Sequence, residues 1–212
     1  LPAIVTAGFA GTYVLMISVF NMVGRIFWAS MSDFIGRKPT YFIFFSLGIL
    51  LYLSIPFTAK AMSVDPIVTY LILFYAASMV IFTMYGGGFA TIPAYLADIF
   101  GTKYVGGIHG RLLTAWSTAG VLGPVAITQL RQNSVDSAIN DLVSKISPEK
   151  FTEIYGASVE NLSLLVQEKT VTISNLMPHM PEGTINPSTT LYNSTMFAMA
   201  GLLAIAFVAN LL

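Results

Sequence analysis

Arg25 lies within "FNMVGRIFWASMSDF", residues 20–34, where almost every other side chain is apolar or small. A guanidinium offers a planar fork of N–H donors that matches a carboxylate. Asn21, one helical turn earlier, falls on the same face and could hydrogen-bond the same anion or pack between helices. Asp33 follows Arg25 by eight residues, about 12 Å along a helix. If Asp33 marks the end of a membrane crossing, Arg25 is near the middle of the bilayer, too deep for its side chain to snorkel out. A cation held there costs from about 2.5 to more than 10 kcal/mol, depending on the method, and commonly marks a ligand or ion path. The structural alternative is an ion pair or carbonyl contact between helices, for which Asp33 and Asp98 are the acidic candidates. Both stand at helix ends.

The elements that position Arg25 follow from composition. Of 212 residues 55% are hydrophobic and 9% charged, with mean hydropathy +0.75. Soluble domains carry about 25% charged residues, so the expected class is all-α integral membrane. Five stretches approach the roughly 20 apolar residues a crossing needs: about 8–32, 41–57, 68–97, 105–130 and 191–212. The second is short and ends near Pro56; the third is long, with Gly86, Gly87, Gly88 and Pro93 suggesting a kink, tilt or interfacial end. Residues 131–190 form a polar insertion before the last helix, with helical apolar spacing in "SVDSAINDLVSKI" and "SVENLSLLVQEKTV". "MPHMPEGTINPST" then leads back as a Pro-rich connector.

Residues 1–130 hold six of the ten Lys/Arg and three of the ten Asp/Glu, whereas 131–190 hold four basic and seven acidic residues. Arg37, Lys38, Lys103 and Arg111 cluster at two turns, which the positive-inside rule places in the cytoplasm. The connection carrying Lys60 and Asp65, and the 131–190 insertion, then lie outside. The absence of cysteine excludes disulfides and thiolate metal sites. Leu1-Pro2 opens the chain without a signal-peptide pattern. The apolar ends suggest a piece of a longer protein whose N-terminal half is missing. No cofactor, metal or nucleic-acid partner is expected, and no acid/base pair or Ser/His/Asp set suggests an enzyme.

"ASMSDFIGRKP", residues 29–39, joins Asp33, Gly36, Arg37 and Lys38 in a tight turn. Gly36 suits a residue with positive φ, and Asp33 is placed to meet a helix N-terminus or the basic side chains of its own turn. This stretch resembles the cytoplasmic loop signature of the major facilitator superfamily, G-x-x-x-D-x-x-G-R-K. Ala29 replaces its first glycine and Phe34 its frequent arginine. "YGGGFATIPAYLADIFGTKYVGGIHGRLLTAWSTAGVLGP", residues 85–124, is similar to the tenth and eleventh helices of the oxalate/formate antiporter family, relatives of the monocarboxylate transporters. "TLYNSTMFAMAGLLAIAFVANLL" resembles that family's last helix.

The resemblance implies helices eight to twelve of the C-terminal half of a major facilitator superfamily fold. Arg25 would be the ligand for the substrate carboxylate, with Asn21 one turn before it, and Asp33, Gly36, Arg37 and Lys38 would form a cytoplasmic gating motif. Oxalate exchangers carry a lysine in the eleventh helix; here Trp116 falls near that position and residues 113–120 hold no lysine. One buried cation suits one carboxylate, so formate, lactate or pyruvate is favoured over oxalate. Tyr85 is either a second ligand or a packing tyrosine. Gly86–Gly88 lack the Lys-Ser/Thr of a phosphate loop and suit close helix packing.

His109 could titrate in proton-coupled transport or be structural; Arg111 suits an anchor or gate. Asn161-Leu162-Ser163 and Asn193-Ser194-Thr195 are glycosylation sequons. The leading expectation is a secondary carrier in the cell membrane, moving a small carboxylate by antiport or proton symport. The alternative is a structural or receptor-like membrane subunit that binds a partner through residues 131–190.

Overall fold

The computed structural model describes residues 7–64 and 68–212. Leu1, Pro2 and Asp65 lie outside the described residues. The chain divides into two compact units, one running through Val125 and resuming at Met196–Leu212, the other Ala126–Thr195.

The first unit is built on long helices. They are α1 (Ala7–Ile35), α2 (Arg37–Val64), α3 (Val68–Phe100), the first part of α4 (Val105–Val143), and most of α8 (Asn193–Leu211). In a bilayer each backbone polar group must be paired within its own segment, so apolar sequence of this length becomes helix. That constraint also carries helices through prolines. α2 does not stop near Pro56, as the sequence suggests, but continues through it to Val64. α3 runs unbroken past the three glycines and Pro93 to Phe100. The lost N–H of an internal proline costs less than opening a helix end in hydrocarbon.

Among the described residues four stretches are long and apolar enough to cross a membrane: Gly8–Ile35, Arg37–Met62, Val68–Phe100 and Pro187–Leu211. The fifth expected crossing, residues 105–130, is helical but falls below that apolarity, because glycines, hydroxyl side chains, His109 and Arg111 dilute it.

α1 and α3 run parallel and close together. Tyr13 meets Tyr75 at one end with ring centroids 4.8 Å apart, and Arg37, just past α1, meets Asp98 near the end of α3. Between these ends, glycines remove the side chains that would hold the helices apart. A Cβ on Gly24 would collide with the Thr83 carbonyl, one on Gly86 with the Asn21 carbonyl, and one on Gly87 with the Trp28 side chain. Trp28 then packs on Phe44 of α2, centroids 4.9 Å apart, and donates its Nε1–H to Thr83 Oγ1 at 3.2 Å. Lipid is as apolar as these side chains, so close van der Waals packing and interhelical hydrogen bonds must hold the seam together.

The second unit has its own apolar core. α4 continues without a break past residue 131 because nothing there stops a helix, and its Ile139, Leu142 and Val143 face inward. They pack with Phe151 of α5 (Pro148–Tyr155), Val171, Leu176 of α7 (Ile173–Leu176) and Leu191. α6 (Leu162–Gln167) lies between α5 and α7 in the chain. The first of the two expected helical stretches is therefore the end of α4, and the second becomes a short 3-10 turn, Val159–Asn161, followed by α6.

Candidate functional site

The motif at residues 29–39 is less a loop than one residue between helices. Gly36 is its only non-helical member, with φ 91°. Its N–H donates to the Ser32 carbonyl at 3.0 Å, closing α1, and its own carbonyl accepts the Thr40 hydroxyl at 2.7 Å, opening α2. A side chain in that left-handed conformation would be strained, so glycine suits the position. Asp33 stays in α1, and Arg37 and Lys38 begin α2.

Arg37 gathers these ends. Its guanidinium pairs with the Asp33 carboxylate and donates to the Ser32 hydroxyl; it also lies 3.5 Å from the Ala29 carbonyl and 3.7 Å from Asp98 Oδ2 on α3. Lys38 Nζ donates to the Leu211 carbonyl at 3.1 Å, and Asn210 Nδ2 returns a bond to the Lys38 carbonyl at 3.3 Å. Tyr95 OH donates to Asn210 Oδ1 at 3.1 Å. The ends of α1, α3 and α8 and the start of α2 thus meet at one end of the unit. Of the two roles open to Asp33, the structure shows the pairing with its own turn. The parts that Ser32 and Asp98 play here were not legible from the motif, since the interhelical partner lies 61 residues further along the chain.

Arg25 lies on an exposed face of α1. Of the five N–H donors of a guanidinium, Nε–H donates to Asn21 Oδ1 at 3.2 Å. Among the described residues no carboxylate pairs with Arg25; Asp33 and Asp98, at helix ends, pair with Arg37 instead. The main-chain carbonyl of Asn21 lies close against Gly86, so the backbone that carries the Asn21 side chain sits on the α1–α3 seam. Asn21 and Arg25 therefore form a unit braced on the α1–α3 seam.

Phe89 brings Tyr85 and Trp116 together. Phe89 stands edge-on to Tyr85 at 5.3 Å and to Trp116 at 5.0 Å, forming an aromatic row from α3 to α4. Tyr85 and Trp116 are each about half exposed. Phe89 could have been found by its spacing four residues after Tyr85, on the same helical face. His109 Nδ1 is buried without a hydrogen-bond partner among the described residues, whereas Arg111 is exposed. Asn161 is exposed in its 3-10 turn, while Asn193 begins α8. Among the described residues no three His, Asp or Glu side chains come together as a metal site requires.

No family model matches the chain, and no solved structure does. Over 117 residues, 54% of this chain, it is 30% identical to the oxalate:formate antiporter of Oxalobacter formigenes. The matched residues span about a quarter of that relative's length, 26%. Taken with four helices of membrane-crossing length and apolarity, this likeness makes the chain a multi-pass membrane protein.

Proposed function

We infer that the chain belongs to a secondary active transporter that moves a small carboxylate by alternating access, as an antiporter or proton symporter. The observation that carries this reading is Arg25: a cation within an apolar helix, free of any carboxylate partner among the described residues, and held in orientation by Asn21. Its remaining N–H donors fit one carboxylate. Tyr85 and Trp116 line the same cavity in this reading. A single cation favours formate, lactate or pyruvate over oxalate. The fold is five helices of the C-terminal half of the major facilitator superfamily, with α1, α2, α3, α4 and α8 in the places of helices eight to twelve. An N-terminal half covers the exposed face that carries Arg25.

α4 is the fifth crossing in this proposal. It stands among other helices rather than in lipid, which suits Gly106, Gly110, Gly120 and Gly123, around which space is open for a close neighbour. The end carrying Arg37 and Lys38 is cytoplasmic, and the second unit lies outside. Arg37 ties the cytoplasmic ends together in the state described, and a rocking motion of the two halves must loosen those ties.

Uptake by the full-length protein in proteoliposomes tests this reading. Arg25→Gln removes charge-assisted hydrogen bonds worth about 1.5–3 kcal/mol each, so carboxylate affinity falls tenfold to more than a hundredfold. Arg25→Lys retains charge but not the fork and loses less. Unchanged saturation and uptake in Arg25→Gln removes this residue from the site. The separate apolar core of the second unit favours a second reading, a membrane subunit that binds a partner there. Deleting residues 134–188 abolishes that role and leaves transport largely intact.

A further inference from the structure

The second unit carries a half-open cavity of about 960 Å³ that the carrier reading does not use. Its volume is near the top of the range of about 300–1,000 Å³ found for small-molecule sites. Its lining is mixed: Val135, Ile139, Leu162, Val166, Val171 and Leu191 supply apolar atoms among polar side chains. Two of these, Ile139 and Val171, are almost completely buried in the core of the unit, so the cavity wall is continuous with that core.

Two cations line the cavity, Arg131 and Lys169. Arg131 is steadied by its position over the Tyr192 ring, 5.7 Å from the centroid, which leaves the edge of the guanidinium available. Lys169 follows α6 with φ 59°, the only non-glycine residue with positive φ among those described. Glycine or asparagine closes a helix there more cheaply; lysine in that conformation adds a positive charge to the cavity lining. Asp136, the acidic lining residue, accepts a hydrogen bond from Gln132 at 2.8 Å, and no carboxylate pairs with either cation among the described residues.

We propose that this cavity binds a small organic carboxylate with an apolar body, its charge held by Arg131 and Lys169 and its body resting on the apolar part of the lining. The site is independent of Arg25 and of transport. It gives the inserted unit a ligand of its own, accessible from the side of the membrane on which that unit lies.

Isothermal titration of the purified chain in lipid nanodiscs tests this, with phenylacetate as the probe and neutral phenylacetamide as its uncharged counterpart. Phenylacetate binds, and phenylacetamide binds at least about tenfold more weakly. The double variant Arg131→Gln with Lys169→Gln weakens phenylacetate about tenfold or more, the effect of one lost charge-assisted bond. Arg131→Lys, which retains the charge and the packing of the stem, keeps most of the affinity. All titrations are run in the Arg25→Gln background, so that carboxylate held at Arg25 does not contribute to the isotherm. The proposal is overturned by equal binding of acid and amide, by unchanged binding when the double variant is added, or by absence of phenylacetate binding.

Discussion

Three consecutive glycines in α3 face three different surroundings, and a methyl group placed on each in turn measures the α1–α3 seam. At Gly86 an added Cβ falls on the main-chain carbonyl of Asn21, which cannot rotate away; at Gly88 it meets nothing within 4 Å. Both substitutions gain helix propensity, up to about 1 kcal/mol for Gly→Ala. Gly86→Ala also forces overpacking, which costs roughly 1–3 kcal/mol. The contact is with backbone, so the upper part of that range applies and the net loss is about 1–2 kcal/mol. Gly88→Ala is neutral or slightly stabilising. Thermal unfolding of the purified chain in detergent, followed by monodisperse elution, reads both variants. Because Gly86 braces Asn21, and Asn21 accepts from Arg25 Nε, Gly86→Ala also lowers uptake by the full-length protein while Gly88→Ala does not. Equal melting temperatures and equal uptake for the two variants refute the seam as the support of Arg25.

Arg37→Ala leaves Asp33 and Asp98 unpaired, but both carboxylates are nearly two-thirds exposed, so the loss is small, about 1 kcal/mol; chemical denaturation measures it, and Arg37→Lys recovers only part. Trp116→Lys adds a second cation near the end of the aromatic row and shifts uptake towards oxalate relative to formate, with competition assays as the readout. In the second unit, burial raises the Tyr155 phenol above its usual 10.0, and its hydroxyl is buried without a partner. The folded form holds its proton at a pH where the unfolded chain has lost it, so stability is intact below pH 10 and declines as pH rises beyond it. Tyr155→Phe removes both the orphan hydroxyl and this alkaline loss, which unfolding curves at pH 8 and pH 11 will separate.

The sequence alone determined the class of the protein and the residues to watch. A chain this apolar must satisfy its backbone internally in a membrane, so helices were forced, and one arginine among apolar side chains stood out because its burial is costly. The D-x-x-G-R-K spacing located Gly36 correctly, since positive φ is a local property that glycine announces by itself. Helix ends were less legible. Pro56 and residue 131 look like boundaries in sequence, yet α2 and α4 run through both, because the environment of a helix outweighs single-residue preferences.

What only the tertiary structure decided was who meets whom. Asp33 and Asp98 were the acidic candidates in the apolar stretches, both at helix ends; packing gives both to Arg37 and leaves Arg25 with an amide. Gly86 reads as a bend or a packing site until the Asn21 carbonyl is found against it. Phe89 acquires meaning only as the ring between Tyr85 and Trp116. Such contacts join residues far apart in the chain, and their choice depends on helix rotation and crossing, which hydrophobic periodicity constrains only weakly when lipid and protein are equally apolar.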